Sequence, residues 1–167
     1  HQPNIYLVIP SYNEGRYLPS LLKRVSLVFA VSRVIVVDDG SQPAVNLPDN
    51  FHHLRHCLNL GKGAALKTGA QYAFEKLHAD CVIFMDADGQ HDPKELPRFV
   101  NLLTKGYDFV LGVRRANQSA PSVRLLGNRL ASLYVKFLFG IRVSDLLSGF
   151  RALSRKAYHL LPFLPAA

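Results

Sequence analysis

The stretch VIFMDADGQ, residues 82–90, joins a short apolar run to two carboxylates. Val82–Met85 is an apolar run of strand length, which predicts a buried β-strand. Asp86 and Asp88 follow it directly. In an extended Asp-x-Asp segment, side chains two residues apart lie on the same side of the backbone. The stretch therefore predicts a pair of carboxylates that leave the carboxyl end of a strand together.

Outward from this stretch, apolar runs alternate with helical patterns. The runs predict strands at Ile5–Ile9, Val34–Val37, Val82–Met85 and Phe109–Val113, with a weaker one near His53–Leu58. The periodicity predicts helices over roughly Gly15–Ala30, Lys62–His78, Pro93–Lys105 and Ser122–Gly140. Asp92 is expected to be the N-cap of the third helix, with Pro93 as its first residue. This order predicts an α/β fold with a mostly parallel, twisted sheet flanked by helices.

A polar cluster follows nearly every predicted strand. The clusters are Pro10–Glu14, Asp38–Ser41, Asn59–Gly63, Asp86–Gln90 and Gly112–Arg115. In open α/β sheets, ligands bind in the crevice outside the carboxyl ends of the strands. Five clusters at one edge therefore predict a ligand site, whereas a single cluster would be explained by turn chemistry.

The chemistry of Asp86 and Asp88 favours a metal. Two adjacent carboxylates repel each other, and a divalent cation relieves that cost. Oxygen ligands favour Mg²⁺ or Mn²⁺, which keeps open positions for substrate phosphates. A turn with a helix cap accounts for Asp92 but leaves the other two carboxylates unexplained. An EF-hand is excluded, because its sixth position would be His91 rather than glycine.

The segment Gly61–Gly63 matches neither a P-loop nor a dinucleotide fingerprint, because Leu66 stands at the third glycine position of the latter. It fits a glycine-rich helix start beside a diphosphate or an ordinary tight turn equally well. At the end of the second strand, one carboxylate of Asp38 and Asp39 is expected to bind a base or ribose and the other to cap a turn. We interpret His52, His53 and His56 as structural residues.

The excess positive charge lies in the last third of the chain. The formal net charge is +8, and residues 109–167 contain nine Lys or Arg against one acid, Asp145. Residues 1–108 contain eleven of each sign. A basic segment with so few acids favours a phosphate-rich partner, namely nucleic acid, an anionic membrane or a phosphorylated substrate. A merely solubilising surface would have acids interspersed.

Length and composition are those of one globular domain. The chain has 167 residues, of which 49% are hydrophobic and 19% charged. Its apolar runs are far shorter than the roughly 20 residues of a membrane span, and no signal peptide is expected. Cys57 and Cys81 lie beside apolar runs and are predicted to be buried, reduced thiols, which favours the cytosol.

Taken together, these motifs resemble those of the family 2 inverting glycosyltransferases with the GT-A fold, a Rossmann-like nucleotide-diphospho-sugar transferase fold. Within that family the chain is most similar to dolichol-phosphate mannose synthases and bacterial polyprenyl-phosphate glycosyltransferases. The stretches that carry the resemblance are VIPSYNE (8–14), VVDDGS (36–41), NLGKG (59–63), MDADGQHDP (85–93), GVR (112–114) and SDLLSGFR (144–151). They cover almost the whole chain in the expected order.

The resemblance implies roles for individual residues. The nucleotide would be bound by Pro10, Tyr12, Glu14 and Asp39, and Lys62 and Arg151 would also bind substrate. The metal ligands would be Asp86, Asp88 and Gln90, with Asp88 also counted as catalytic. Arg114 and Arg124 would bind the acceptor phosphate, and Asn128 stands where the synthases have a serine. Asp145 would be either the catalytic base or the residue that orients Arg151.

The implied activity is the metal-dependent transfer of a mannose- or glucose-type hexose from GDP-mannose or a UDP-hexose to a polyprenyl or dolichyl phosphate. Residues 1–167 would form one catalytic domain without the family's C-terminal elements, at the cytosolic face of a membrane. Ser122–Ile141 would form a peripheral membrane helix or an ordinary core helix. Nucleic acid is not expected as a partner.

Three alternatives stay open at this point. One is a family 2 glycosyltransferase with a non-lipid acceptor. Another is a sugar nucleotidyltransferase, although Pro10–Glu14 lacks the glycine-rich basic signature of that class. The third is a non-enzymatic basic domain that binds nucleotides or nucleic acid, although the basic segment lacks the aromatic platforms of RNA-binding proteins.

Overall fold

The structure is a computed structural model that describes residues 2–112 and 150–160. Its strands are β1 Ile5–Ser11, β2 Val34–Asp38, β3 His52–Arg55, β4 Cys81–Phe84, β5 Phe109–Leu111 and β6 Arg151–Ser154. Its α-helices are α1 Leu18–Val25, α2 Lys62–Gln71, α3 Leu96–Thr104 and α4 Arg155–Leu160. Single 3₁₀ turns lie at Val31–Arg33 and Pro93–Glu95, and a π-helical turn at Tyr72–Lys76 extends α2.

The six strands form one sheet in the order β3-β2-β1-β4-β6-β5. The strands β1 to β4 are parallel, and Val8 in the centre lies between Ile35 and Phe84. The strand β6 is antiparallel to both of its neighbours, β4 and β5. The predicted α/β fold with a mostly parallel sheet is confirmed.

The core has two layers, one on each face of the sheet. The inward sides of α1 and α3 cover one face, where Leu7 and Ile9 of β1 are buried. The helix α2 covers the other face, where Val8 is buried. A Cβ atom at Gly69 would lie 2.4 Å from Val8 Cγ1, so α2 lies closer to β1 than an alanine would allow. This close packing brings the start of α2 to the edge at which β1 ends.

The three helix predictions that fall on described residues were right in place and too long in extent. The helix α1 begins at Leu18 instead of Gly15, because residues 15–17 form turns in which Tyr17 and Leu18 donate to the Glu14 carbonyl. The third predicted helix is split into the 3₁₀ turn at Pro93 and α3. The predicted cap is confirmed, since the Asp92 carboxylate accepts from the Lys94 N–H at 3.1 Å. The predicted helix at 122–140 lies outside the described residues.

Within residues 2–112 and 150–160, no helix is long and apolar enough to cross a bilayer. Both cysteines are free. Cys81 is buried as predicted, and burial, together with the nearby Asp80 and Asp108, raises the pKa of its thiol to about 11. The prediction of burial is wrong for Cys57, which is exposed because it follows the end of β3 at Arg55.

Candidate active site

The polar clusters after β1, β2 and β4 meet at one edge of the sheet, as predicted. Parallel pairing places Ser11 opposite Asp38, and β4 follows β1 on its other side. The start of α2 reaches the same edge, where Lys62 contacts Asp86. Because β6 runs antiparallel, its first residue, Arg151, also lies there, opposite Phe84.

Asp86 is the most buried carboxylate of the predicted metal set, at 6% exposure. Its Oδ2 atom accepts a hydrogen bond from Lys62 Nζ at 2.6 Å, and His91 Nε2 lies 3.9 Å from the same oxygen. Its Oδ1 atom is buried and has no hydrogen-bond partner among the described residues. A buried acceptor without a partner is costly, and a cation is one group that removes the cost.

Asp88 and Gln90 lie on the turn that follows. The turn depends on Gly89, whose φ of 74° is in the region that favours glycine. Asp88 is half-buried, and its Oδ1 atom accepts from the Gln90 N–H at 3.0 Å. Gln90 is exposed. Across the described part of the chain, no three His, Cys, Asp or Glu side chains form a ready metal site.

The donor chemistry nevertheless fits a hard cation. Two carboxylates and one amide supply oxygen atoms, among them Asp86 Oδ1, which no group in the described part of the chain binds. Mg²⁺ and Mn²⁺ sites in phosphate-transferring proteins need only one or two carboxylates, because water and substrate phosphates complete the shell. The predicted ligands Asp86, Asp88 and Gln90 are therefore chemically suited to such an ion.

Lys62 connects two polar clusters that are separate in the sequence, Asn59–Gly63 and Asp86–Gln90. It opens α2 after Gly61, whose φ is 90°. Its side chain is half exposed, and its ammonium group contacts the buried carboxylate of Asp86. The lysine was predicted to bind substrate, and the structure places it beside the predicted metal ligand.

Asp38 is fully buried at the end of β2 and is bound entirely by protein. Its Oδ1 accepts from the Ser41 N–H at 2.9 Å, and its Oδ2 accepts from the Val45 N–H at 3.2 Å and from Arg55 Nη1 at 2.9 Å. Burial alone would raise the pKa of Asp38, but hydrogen bonds from Ser41 and Val45 and the charge of Arg55 outweigh it and lower the pKa. Asp38 thus has the turn-capping role expected for one of this pair.

Asp39 is also buried, although it was predicted to bind the nucleotide. Its Oδ1 accepts from the Leu60 N–H at 3.0 Å and lies 2.6 Å from His56 Nδ1, while its Oδ2 accepts from the Gly61 N–H at 2.8 Å. A carboxylate has about four acceptor positions, so one remains on Oδ2. His56, interpreted from sequence as structural, is therefore a direct partner of a predicted site residue.

The other predicted nucleotide contacts lie after β1. Pro10 is buried within β1, Tyr12 is 47% exposed and Glu14 is half-buried. Sequence reasoning missed Asn13, whose φ is 55°. Its N–H donates to Ser41 Oγ at 2.9 Å and its Oδ1 accepts from the Gln42 N–H at 3.0 Å, which ties the loop after β1 to the loop after β2. Asparagine is one of the few residues that adopt this backbone region readily, which was the available signal.

Arg151 is positioned by the aromatic residue that precedes it. Phe150 stacks on Phe99 with ring centroids 4.2 Å apart and lies 5.3 Å from the His91 ring. The Gly112 N–H donates to the Phe150 carbonyl at 2.8 Å. The Arg151 guanidinium lies over the Phe84 ring at 5.7 Å. The remaining predicted residues, Arg114, Arg124, Asn128 and Asp145, lie outside the described residues, as does the segment 122–141, predicted to be a membrane-contacting or core helix.

A groove of about 610 Å³ lies between α1 and the segment 41–51. Asn13 and Ser41 are at its boundary with the site, but the carboxylates of the β4 turn do not line it. Its walls are mostly apolar side chains of α1 and of the segment 41–51. The groove is therefore beside the predicted chemistry and not part of it.

Comparison with known proteins shows the family. Residues 6–161 match Glycosyl transferase family 2. The chain is 31% identical over 163 residues to polyprenol monophosphomannose synthase of Mycolicibacterium smegmatis. The alignment covers 90% of this chain and 61% of that protein. It is 31% identical to undecaprenyl-phosphate mannosyltransferase of Micrococcus luteus, covering 89% of this chain and 65% of that protein. It is 33% identical to undecaprenyl-phosphate 4-deoxy-4-formamido-L-arabinose transferase of Yersinia pestis, over 84% of this chain and 46% of that protein.

Solved structures share the fold. Glucosyl-3-phosphoglycerate synthase from Mycobacterium tuberculosis superposes with a TM-score of 0.67 at 24% identity, over 92% of this chain and 57% of that one. The same enzyme is also known in complex with Mn²⁺, UDP-glucose and phosphoglyceric acid, with a TM-score of 0.67 at 23% identity. The predicted GT-A fold is confirmed by this similarity.

Proposed function

The chain belongs to glycosyl transferase family 2, and on that premise we propose that it transfers a hexose from a nucleotide-sugar to a polyprenyl or dolichyl phosphate, with inversion at the anomeric carbon. The named relatives support the acceptor class, because all three act on polyprenol or undecaprenyl phosphates. They differ in the sugar. We propose a mannose- or glucose-type hexose, with GDP-mannose or a UDP-hexose as donor.

The observation that carries this proposal is the environment of Asp86. This buried carboxylate lies at the edge where α/β sheets bind ligands, and its Oδ2 atom contacts Lys62. Its Oδ1 atom has no hydrogen-bond partner among the described residues. We propose that Asp86, Asp88 and Gln90 bind Mg²⁺ or Mn²⁺. When bound, the ion would neutralise the charge that develops on the leaving diphosphate. The mycobacterial synthase, which shares this fold, binds Mn²⁺ together with UDP-glucose, and this supports the proposed site.

The chain's own residues would bind and orient the reactants. Tyr12, Glu14 and Asp39 would contact the nucleotide, with Pro10 shaping the loop. Lys62 contacts Asp86, so its ammonium group lies beside the proposed metal site. If Asp86 binds the metal ion, Lys62 would be free to pair with a donor phosphate. Positive charge near the diphosphate stabilises the leaving group as the bond from the anomeric carbon to the diphosphate oxygen breaks.

Arginines would bind the acceptor. Arg151 lies at the same edge of the sheet, and Arg114 and Arg124 are proposed to join it, because a guanidinium fork matches two phosphate oxygens. An acceptor phosphate oxygen would attack the anomeric carbon on the face opposite the diphosphate. A phosphate monoester is already anionic near neutral pH, so Asp145 would act either as a weak base or by orienting Arg151.

We further propose that residues 1–167 act as one catalytic domain at the cytosolic face of a membrane, with Ser122–Ile141 as the peripheral contact. The spacing of apolar residues in that segment and its basic residues support the membrane role. Co-sedimentation with vesicles tests it. Preference for anionic over neutral vesicles at low salt is expected, and equal binding to both would contradict it.

The central test of the function is nucleoside diphosphate release. The protein is incubated with Mn²⁺ and a panel of nucleotide-sugars, with undecaprenyl phosphate, with 3-phosphoglycerate or without acceptor. We expect release that depends on both Mn²⁺ and the lipid phosphate for one donor. Release driven by 3-phosphoglycerate would indicate a non-lipid acceptor. Absence of release with every donor would favour a non-enzymatic nucleotide-binding domain.

A further inference from the structure

His56 lies between a carboxylate and a hydroxyl group, next to the predicted site. Its Nδ1 atom is 2.6 Å from Asp39 Oδ1 and its Nε2 atom is 2.9 Å from Thr68 Oγ1. Only 11% of the His56 side chain is exposed, and 3% of Asp39. A carboxylate that already accepts from backbone N–H groups needs a donor, so Nδ1 carries the proton in this contact.

The backbone of His56 is fixed independently of this side chain. Its N–H donates to the Asp38 carbonyl at 2.9 Å, directly after the last residue of β3. Thr68 lies in the second turn of α2, which packs on the sheet through Gly69. The imidazole therefore lies between Asp39, at the end of the sheet, and Thr68, in the body of α2, and contacts both.

Asp39 in turn holds the two residues that precede Lys62. Its two oxygens accept from the N–H groups of Leu60 and Gly61, at 3.0 and 2.8 Å. A Cβ atom added at Gly61 would have no neighbour within 4 Å, so hydrogen bonds rather than packing hold this backbone, and the Gly61 N–H also donates to Asn59 Oδ1 at 3.0 Å. The next residue is Lys62, whose ammonium group lies 2.6 Å from Asp86. One chain of contacts thus runs from α2 through His56 and Asp39 to the lysine at the predicted metal ligand.

We propose that His56 is a positioning residue for donor binding: through Nδ1 it orients Asp39, and through Asp39 it fixes the turn that presents Lys62. The inference rests on the proposed function, in which Asp39 and Lys62 contact the donor. An ordinary buried histidine that only fills space would not need both ring nitrogens in hydrogen bonds to two separate elements.

Two replacements of His56 separate the two ring nitrogens. An asparagine amide stands about where Nδ1 stands, and a glutamine amide reaches about where Nε2 stands. His56→Asn therefore keeps the donor for Asp39 and loses the Thr68 contact, whereas His56→Gln does the opposite. The measurement is calorimetric titration of GDP and UDP in the presence of Mn²⁺, with the melting temperature of each variant measured alongside.

We expect His56→Gln to weaken nucleoside diphosphate binding on the order of tenfold, as loss of a hydrogen bond to a charged group does. His56→Asn should stay within about threefold of wild type. With the donor saturating, the acceptor KM should stay at the wild-type value in both. Thr68→Val removes only the contact at Nε2 and should stay within about threefold of wild type, as His56→Asn does. If His56→Gln does not fold, His56→Ala, which also removes the donor to Asp39, carries the test.

The outcomes distinguish this inference from the function on which it rests. Wild-type affinity in His56→Gln, or in a folded His56→Ala if His56→Gln cannot be made, would overturn the positioning role and leave the proposed function intact. An equal loss of nucleoside diphosphate affinity in His56→Asn and His56→Gln would also overturn it. Binding would then not depend on the nitrogen that faces Asp39. If wild-type protein binds neither nucleotide, the proposed function fails and this inference fails with it.

Discussion

Two pairs of carboxylates lie at the same edge of the sheet and differ in how many hydrogen bonds the described residues donate to them. At the end of β2, Asp38 and Asp39 are buried, and every one of their oxygens accepts at least one hydrogen bond from protein. At the end of β4, Asp86 keeps a buried oxygen without a partner among the described residues, and Asp88 has a single backbone hydrogen bond in its turn. Both pairs follow apolar strands.

The difference separates Asp38, whose oxygens are fully bound by protein, from Asp86, which the described residues leave with a buried oxygen unbound. Hydrogen bonds and a positive neighbour stabilise the charge of Asp38, so that its burial is compatible with a lowered pKa. Asp86 receives fewer hydrogen bonds from the described residues, and we propose that a cation completes its environment. The carboxylates at β2 hold the adjoining loops in place, and we propose that those at β4 bind a cation beside the donor diphosphate.

The largest effect is expected from Asp88→Ala, which would leave Asp86 as the remaining carboxylate of the predicted metal set. Metal ions supply several kcal/mol of transition-state stabilisation, so turnover should fall at least about a hundredfold. Metal-dependent binding of GDP or UDP should disappear in calorimetry. The matched control is Asp92→Ala in the same loop, because that exposed carboxylate pairs with Arg24 and caps a turn. Unchanged metal-dependent affinity in Asp88→Ala would remove the β4 pair from the site.

Asp38→Asn should instead reduce stability. An amide NH₂ would face the donors of Val45 or Arg55, which costs about 1–3 kcal/mol of unfolding free energy. Chemical denaturation followed by circular dichroism measures the cost. Nucleotide affinity of the folded variant should change little by comparison, and a variant as stable as wild type would contradict the structural role.

The same residue predicts a pH dependence. The pKa of Asp38 is lowered below its ordinary value of 3.8, so the unfolded chain takes up a proton before the folded one as the pH falls. The stabilisation is complete above the unfolded pKa and is lost as the pH falls through the folded pKa. Below about pH 4, wild-type protein should lose stability more steeply than Asp38→Asn, and parallel curves would contradict this assignment.

A smaller effect is expected from Lys62→Met, which removes the cation that faces Asp86. The ion pair is half exposed, so screening limits its strength to about 1 kcal/mol. Without the ammonium group, Mn²⁺ alone should bind up to about fivefold more tightly, as followed by electron paramagnetic resonance of free Mn²⁺. Affinity for the nucleoside diphosphate should fall in the same variant. A rise in both affinities would show that Lys62 does not contact the donor.

The sequence was sufficient for the parallel part of the sheet and for the grouping of its polar clusters. The run Val34–Val37 is continuously apolar, which is typical of a strand buried on both faces, and Asp92 before Pro93 is a specific helix start. The resemblance to the family also rested on local motifs at these strand ends. Such signals are local, and they can be seen in a single sequence.

What the sequence could not show depends on contacts between distant residues. The strand β6 is four residues long and begins with Arg151, and its place between β4 and β5 is set by pairing across 40 or more positions. The role of His56 depends on a carboxylate seventeen residues away and a hydroxyl twelve residues away. The exposure of Cys57 likewise follows from where β3 ends, which the apolar pattern near His53–Leu58 did not fix.

The most direct test of the contrast between the two carboxylate pairs is a thermal melt of wild type and Asp86→Asn, with and without Mn²⁺ and GDP or UDP. In metal-free buffer, we expect Asp86→Asn to melt at or above the wild-type temperature, because the substitution removes a buried charge and Lys62 can return to water. Mn²⁺ with nucleotide should raise the melting temperature of wild type and leave that of Asp86→Asn unchanged. An Asp86→Asn protein that melts well below wild type in metal-free buffer, or that Mn²⁺ still stabilises, would show that Asp86 is a structural carboxylate like Asp38 and would contradict the account.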